Sequence, residues 1–282
     1  MNKPGTILIT GCSSGIGHCV AVGLKQRGYR VFATARKNED VSVLRSEGLE
    51  SVQLDLADSD SIKQAVATIL EQTGGQLDAL FNNGAYGQPG AVEDLRREVL
   101  REQFETNLFG VLELTNLIIP VMRKQGHGRI INNSSVLGLV NLPYRGAYNA
   151  SKFALESLSD TLRLELHGTG IHVSIIEPGP IKTNFRANSF AMYKKNIAPQ
   201  HSAHRAYYEG VEKRLSRPGN VSRHTQPPEA VLEKVIHALE SPAPRSRYPV
   251  TTPTRFVSIA RRLLPDRWLD RLLLNYSAKE NS

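Results

Sequence analysis

Ile7-Leu8-Ile9-Thr10-Gly11-Cys12-Ser13-Ser14-Gly15-Ile16-Gly17 is the stretch on which the reading of the fold turns. Ile7 to Ile9 form a short apolar run, the pattern of a buried strand. Beyond Gly17 the pattern turns helical: Val20, Val22 and Leu24, with small Ala21 and Gly23, accompany Lys25, Gln26 and Arg27. Strand, glycine turn and helix is the context in which a glycine-rich loop binds a dinucleotide. Gly11 allows the tight turn, Gly15 lets the backbone approach a ligand closely, and Gly17 lets the helix pack on the strand. Ser13, Ser14 and Ile16 share the loop, and free amides at a helix start attract phosphate.

The alternation continues downstream. Strands are expected at 7–10, 29–34, 51–54, 77–82, 128–134 and 171–176. Helices are expected at 15–27, 39–46, 59–72, 95–123 and 144–167, the fourth interrupted only by Gly110 and Pro120. Arg247-Tyr248-Pro249-Val250 supplies a seventh strand after a helix that starts at Pro227-Pro228-Glu229. Strands alternating with helices imply parallel pairing through right-handed crossovers, hence an α/β, doubly wound parallel sheet of about seven strands with helices on both faces. Ligands of such sheets bind beyond the carboxyl ends of the strands, where both the glycine loop and Ser135 fall.

Composition narrows the class. The chain has 282 residues, 40% apolar and 22% charged, enough for one large α/β domain. It is expected to divide into a cofactor and catalytic core (6–183), a substrate lid (184–225) and C-terminal helices with the final strand and tail (226–282). No run of about eighteen apolar residues is present, as a membrane-spanning helix would need. Met1-Asn2-Lys3-Pro4-Gly5 lacks the apolar core of a signal peptide. The two cysteines, Cys12 and Cys19, lie by the phosphate loop, a poor place for a disulfide, so a reducing cytoplasm is expected. The net charge of +8 is spread along the chain without a nucleic-acid motif; a polyphosphate cofactor and a basic tail account for it.

The richest chemistry lies in Tyr148-Asn149-Ala150-Ser151-Lys152. Residues four apart share a helix face, so an ammonium can sit beside a phenol. A free phenol titrates near ~10 and is a poor base at neutral pH. A neighbouring cation favours the phenolate and makes Tyr148 a usable proton donor and acceptor. Tyr144 is the other phenol nearby, but Lys152 lies two helical turns from it.

Two segments resist a regular reading. Residues 184–225 are polar, rich in Tyr, His, Arg and Asn, and are expected to form a mobile lid over the substrate. In the tail, Phe256, Ile259, Ala260, Leu263 and Leu264 share one face; Trp268, Leu269, Leu272 and Leu273 share another; Pro265 separates them. Arg255, Arg261, Arg262, Arg267 and Arg271 decorate both pieces. This tail either docks over the substrate pocket or a subunit interface, or makes peripheral contact with an anionic membrane.

Taken together, these motifs resemble the short-chain dehydrogenase/reductase family over residues 6 to about 183. The resemblance rests on Thr10-Gly11-x-x-x-Gly15-Ile16-Gly17, Asp55-Leu56, Asn82-Asn83, Asn107, Ser135 thirteen residues before Tyr148, Lys152 four after it, Pro178-Gly179 and Thr183. The glycine turn, Glu177-Pro178-Gly179-Pro180-Ile181 and Arg247-Tyr248-Pro249-Val250 are similar to the 17β-hydroxysteroid and retinol dehydrogenase branch. One departure stands out: the family has Asn-Asn-Ala-Gly where this chain has Asn82-Asn83-Gly84-Ala85. Ala85 tolerates positive φ poorly, so the loop is expected to turn differently.

The resemblance implies hydride exchange between a nicotinamide and a carbonyl or alcohol of an apolar substrate. In that reading Tyr148 exchanges the proton, Ser135 hydrogen-bonds the substrate oxygen, and Lys152 holds the nicotinamide ribose and lowers the Tyr148 pKa. Asn107 orders a water linked to Lys152. Asp55 and Leu56 border the adenine, Asn82 the adjoining ribose, and Pro178, Gly179, Ile181 and Thr183 lie by the nicotinamide. NAD-binding sheets of this kind place an acid at the end of the second strand. Here that place holds Ala35 followed by Arg36, with Lys37 beside it. A guanidinium binds a 2′-phosphate that a carboxylate would repel, so the expected cofactor is NADP(H).

The leading expectation is an aldehyde or ketone reductase working as a homodimer or homotetramer. Its alternatives are a retinol- or steroid-type alcohol dehydrogenase and a non-catalytic dinucleotide sensor. No metal site is expected: His201 and His204 have no third ligand in sequence reach. A hydrolase triad fails because no G-x-S-x-G elbow surrounds Ser135.

Overall fold

A computed structural model describes residues 5–216 and 224–281. Seven strands form one parallel sheet: β1 (Thr6–Ile9), β2 (Arg30–Ala35), β3 (Glu50–Gln53), β4 (Ala79–Asn82), β5 (Gly128–Asn133), β6 (Ile171–Glu177) and β7 (Arg247–Pro249). Their order in space is β3-β2-β1-β4-β5-β6-β7. The chain therefore reverses its direction of travel between β1 and β4, which opens a crevice at the carboxyl ends of those strands.

Side-chain alternation along each strand sends residues to opposite faces. Ile7, Ile9 and Phe81 pack under α1 (Gly15–Gln26), α2 (Asn38–Ser46) and, late in the chain, α9 (Glu229–Glu240). Leu8, Leu80 and Ile130 pack under α3 (Ser59–Gln72), α5 (Gly110–Gln125) and α6 (Gly146–Glu165). Both faces of the sheet are covered, the condition under which an all-parallel sheet is stable.

The helix expected over 95–123 differs from that reading. It starts as α4 (Arg97–Phe104), widens into a π turn over Glu105–Phe109, and resumes as α5. Gly110 begins α5 where a Cβ would stand 1.8 Å from the Leu56 carbonyl oxygen, so the helix presses its bare backbone on the loop after β3. Pro120 does not break α5.

Residues 184–225 also differ from the expected loop. The described part folds into α7 (Phe185–Asn196) and α8 (Arg205–Ser216), joined by a short 3-10 turn at Pro199–His201. Tyr193, Tyr208, Val211 and Leu215 close with Ala91 and Ile197 into a small core of their own. Two of those members are tyrosines whose hydroxyls are satisfied: Tyr193 donates to Glu212 at 2.9 Å and Tyr208 to Asp94 at 2.5 Å. Part of the expected lid, residues 217–223, lies outside the described residues.

The tail forms α10 (Thr252–Leu263) and α11 (Asp266–Asn281). Val257 and Leu273 pack on Leu137, Val140 and Leu142, so the pair is docked on the core beside the sheet's carboxyl edge. Arg247 of β7 reaches Glu177 at 2.9 Å and also pairs with Glu156 and Asp160 of α6. Burial, with Glu156 close by, pushes the Glu177 carboxyl up to about 7. This clamp fastens the last strand to the helix that carries Tyr148.

Candidate active site

The crevice deepens into a cavity of about 520 Å3 that runs from the glycine loop to the C-terminal helices. Gly11, Ser13, Ser14, Gly15 and Ile16 line one end. Gly11 and Gly15 hold φ of 69° and 60°, the left-handed region that favours glycine. Gly17 does not face the cavity; a Cβ there would stand 2.3 Å from the Gly11 carbonyl, so it packs against the loop itself. Ser14 precedes α1 and lines the cavity without capping the helix by its side chain, which leaves the first-turn amides without a side-chain partner. Bare backbone and uncapped amides fit the pyrophosphate of a dinucleotide.

The expected rim residues divide. Arg36 and Lys37 are exposed just past β2, with Ala35 buried behind them. Asp55 is half-buried and accepts from the Ala57 amide at 3.0 Å. Leu56 is buried, its side chain against Gly84 and its carbonyl against Gly110. Asn82 does not reach the cavity: its amide donates to Thr115 at 3.0 Å and to Asn132 at 2.8 Å inside the sheet. The ribose-side position assigned to its side chain is therefore corrected. Asn83 and Gly84 line the cavity instead, because the alternation at the end of β4 turns Asn82 inward. Asn83 donates to the Thr10 and Gly11 carbonyls at 2.9 and 3.1 Å and so braces the glycine loop. Neither Gly84 nor Ala85 takes positive φ, so the exchanged pair imposes no strain.

Ser135, Tyr148 and Lys152 come together on the cavity wall, which Pro178, Gly179, Ile181 and Thr183 also line. Gly179 has no room for a side chain, since a Cβ would stand 2.1 Å from the Thr251 hydroxyl. Thr183 lies against Gly15, 3.0 Å from where a Cβ would be. The Ser135 hydroxyl accepts from the Leu137 amide at 3.1 Å and shares a hydrogen bond with Tyr148. The Tyr148 ring meets Phe185 edge to face with centroids 5.2 Å apart. Lys152 is buried; its ammonium donates to the Asn133 carbonyl at 2.8 Å and lies 5.7 Å from the centre of the Tyr148 ring.

The electrostatics here differ from the expectation for an adjacent phenol and ammonium. Burial pushes the Tyr148 phenol up to about 12, and its bond with Ser135 offsets only part of this. Burial pulls the Lys152 amine down to about 8, against the favourable charge of Glu156. Desolvation outweighs the attraction between the two groups. At neutral pH the phenol is therefore in its neutral form.

Asn107 sits in the π turn and is fully buried. Its amide donates to the Tyr86 carbonyl at 2.9 Å and to Ser151 at 3.1 Å, while its oxygen accepts from the Tyr86 amide at 3.1 Å. Both side-chain donors are engaged in joining the loop after β4 to α6, so the side chain acts as a strut. Tyr144 is directed away from the cavity, with its hydroxyl 2.9 Å from His204 and its ring stacked 3.7 Å from that of Tyr207. His204 is held between Tyr144 and Glu93. Residues that sequence reasoning passed over also line the cavity: Asn133, Phe185, Val140 and Leu142. Phe256, Leu272 and Leu273 of the tail, for which docking over the substrate pocket is one expectation, complete this apolar wall.

Comparison with known proteins agrees with this fold. Residues 5–194 match the family model described as short chain dehydrogenase. The chain is 42% identical over 268 residues to an uncharacterized oxidoreductase, YbbO, of Escherichia coli, covering 95% of this chain and 93% of the relative. It is 34% identical over 275 residues to human 17-beta-hydroxysteroid dehydrogenase type 1, covering 92% and 81%. Among solved structures, serine dehydrogenase complexed with NADP+ superposes with a TM-score of 0.75 at 25% identity, covering 88% of this chain and 95% of that one.

The depressed Lys152 amine has a stability consequence. The unfolded chain keeps this proton up to about 10.5, whereas the folded chain releases it near 8. Burying the charged amine therefore costs stability below about pH 8, and the cost is relieved as pH rises from 8 to 10.5. Lys152→Met is expected to melt several degrees above the parent chain at pH 7, with the gap shrinking by pH 10. A lower melting temperature for Lys152→Met at pH 7 in cofactor-free protein contradicts this account.

Proposed function

This chain belongs to the short-chain dehydrogenase family, and from that premise we propose that it is an NADP(H)-dependent reductase of apolar aldehydes or ketones. The observation that carries the reading is the meeting of Ser135, Tyr148 and Lys152 with the glycine loop on one cavity whose deeper wall is apolar. A nicotinamide dinucleotide, when bound, supplies the hydride; this chain supplies position, charge and the proton.

Gly11, Ser13, Ser14, Gly15 and Ile16 would hold the pyrophosphate by backbone amides, and Asn83 keeps their loop in place. Arg36, with Lys37 beside it, would take the 2′-phosphate; Asp55 and Leu56 lie on the adenine side. Lys152 would bind the ribose hydroxyls, which brings a second acceptor to its ammonium beyond Asn133. Pro178, Gly179, Ile181 and Thr183 would flank the nicotinamide. In reduction, Ser135 donates a hydrogen bond to the carbonyl oxygen, stabilising the negative charge that grows there. Tyr148 then passes its phenolic proton to that oxygen. A phenol held neutral by burial is already in the protonation state this step needs. Asn107 keeps α6 in register with the loop after β4 and so positions Tyr148 and Lys152. The relation to a 17-beta-hydroxysteroid dehydrogenase favours a second reading, oxidation of a steroid-like alcohol, which uses the same groups in reverse.

We also infer a place for the outer face of the tail. Phe256, Ile259, Leu263 and Trp268 are exposed on α10 and α11 among Arg255, Arg262, Arg267 and Arg271. No helix of the described residues is long and apolar enough to cross a membrane. An apolar stripe rimmed by arginines fits contact with the surface of an anionic bilayer, beside the cavity mouth that Phe256 lines.

Three outcomes are expected. Tyr148→Phe keeps NADPH binding, read by fluorescence titration, and loses at least about a hundredfold in kcat against a panel of aldehydes, ketones and sterols; undiminished turnover ends the assignment. Arg36→Ala raises the KM for NADPH at least about tenfold more than that for NADH; equal changes refute the 2′-phosphate role. Sedimentation with vesicles of anionic phospholipid pulls down the parent chain, and Ile259→Glu with Trp268→Glu abolishes this; no sedimentation of the parent removes the membrane reading.

A further inference from the structure

Part of the cavity lining is charged, with side chains that the hydride and proton exchange does not use. Arg145, Arg186, Arg214 and Glu280 all line the cavity. They come from four places: the residue before α6, the first turn of α7, the last turn of α8, and the end of α11. Arg145 pairs with Glu280, and Arg214 lies 3.5 Å from the same carboxylate. The side chains are little exposed, 16% for Arg145, 12% for Arg214 and 9% for Glu280, so this is not a surface pair free to rearrange in water.

Among the described residues two guanidinium groups, those of Arg145 and Arg214, share the Glu280 carboxylate, and Arg186 adds its positive field to Arg214. Glu280 is further engaged by the Tyr276 hydroxyl. The Arg214 Nε is buried and has no hydrogen-bond partner among the described residues. A guanidinium presents parallel donors in a fork that matches a carboxylate, and the Nε side of the Arg214 fork is unfilled. Burial, together with Arg145, pulls the Arg214 pKa down to about 10, the direction expected of a cation with too few counter-charges. A buried donor without an acceptor costs more than an ordinary hydrogen bond contributes, so a purely structural tie between α6, α8 and α11 would be better served by one arginine than by two.

We propose that Arg214, with Arg145, forms a subsite for the carboxylate of an amphiphilic substrate whose carbonyl, at the other end of an apolar chain, meets Ser135 and Tyr148. The same cavity is lined by Leu137, Val140, Leu142, Val257 and Leu273, one apolar cluster against which Tyr148 packs, and this wall suits methylene groups. Arg145 lies three residues before Tyr148 at the start of α6, so one helix carries both the anion-binding end and the proton donor. The carboxylate fixes which end of the substrate points to the reacting groups. Glu280 competes for the same arginines and sets how tightly an external carboxylate is held.

The substrate class rests on the reductase reading, and the test separates the two. Octanoate and 1-octanol share a chain and carry no reducible carbonyl. Calorimetric titration of the full-length protein is expected to show octanoate binding at least about tenfold tighter than 1-octanol. Arg214→Met removes that preference, and Arg214→Lys, which keeps charge without the fork, retains part of it. Glu280→Gln moves the other way and tightens octanoate several-fold, a gain that misfolding cannot produce. In turnover with NADPH, 8-oxooctanoate is preferred over its methyl ester, and the ratio of kcat/KM values falls toward one in Arg214→Met. Octanoate binding no tighter than 1-octanol, or weakened by Glu280→Gln, overturns the subsite. Octanoate bound as expected while neither aldehyde is reduced leaves the subsite standing and removes the reductase reading.

Discussion

The ammonium of Lys152, buried and held by the Asn133 carbonyl at the end of β5, is the constraint around which the site is built. A charged amine in that position is costly and must be held on several sides. Asn133 supplies the direct acceptor, and its own amide donates to Asn83 at 2.9 Å, which in turn grips the glycine loop. Glu156, one turn further along α6, provides the compensating charge and is itself fixed by Arg247. The strut from Asn107 to Ser151 ties the same helix to the loop after β4. Successive hydrogen bonds thus run from α6 through the ends of β5 and β4 to the glycine loop.

This linkage explains why the phenol beside Lys152 is not activated in the simple way that the spacing suggests. In water, an ammonium near a phenol lowers its pKa; in this apolar wall the loss of hydration acts on both groups and drives their pKa values toward their neutral forms. Tyr148 rises to about 12 and Lys152 falls to about 8. Such a pair is suited to giving a proton to a nascent alkoxide. For the reverse reaction the phenolate must be stabilised, and polar ligand groups near Lys152 would be the means, since they restore the hydration that folding removed.

Much of the architecture was legible in the chain because its signals are local. The run Ile7 to Gly17 specifies a strand, a turn and a helix by neighbour-to-neighbour chemistry, and the strand–helix alternation specifies parallel pairing, which the sheet has throughout. What was not legible depends on partners distant in sequence. Tyr193 and Tyr208 read as polar because each carries a hydroxyl, yet Glu212 and Asp94 satisfy those hydroxyls and let the rings form a core. Asn82 and Asn83 are chemically identical, and only the pleat at the end of β4 decides which one turns inward. The π turn at Glu105–Phe109 is invisible in helical periodicity. It accompanies the contact between Gly110 and the Leu56 carbonyl, a tertiary fact.

The cavity joins two regions with opposed requirements. Near Tyr148 the protein needs low polarity, since a dry wall keeps the phenol protonated and strengthens each hydrogen bond to a developing charge. Elsewhere in its lining it holds arginines that a dry wall disfavours. Helix α11 contributes both Leu273 to the dry wall and Glu280 to the charged part. One helix thus joins the two regions: its middle packs in the apolar wall beside Tyr148, and its end pairs with Arg145 and Arg214. A short-chain dehydrogenase core can keep its cofactor loop and Tyr148-Lys152 pair while a tail of this kind is exchanged. Changes in substrate choice are then confined to elements that the sheet does not need for its stability.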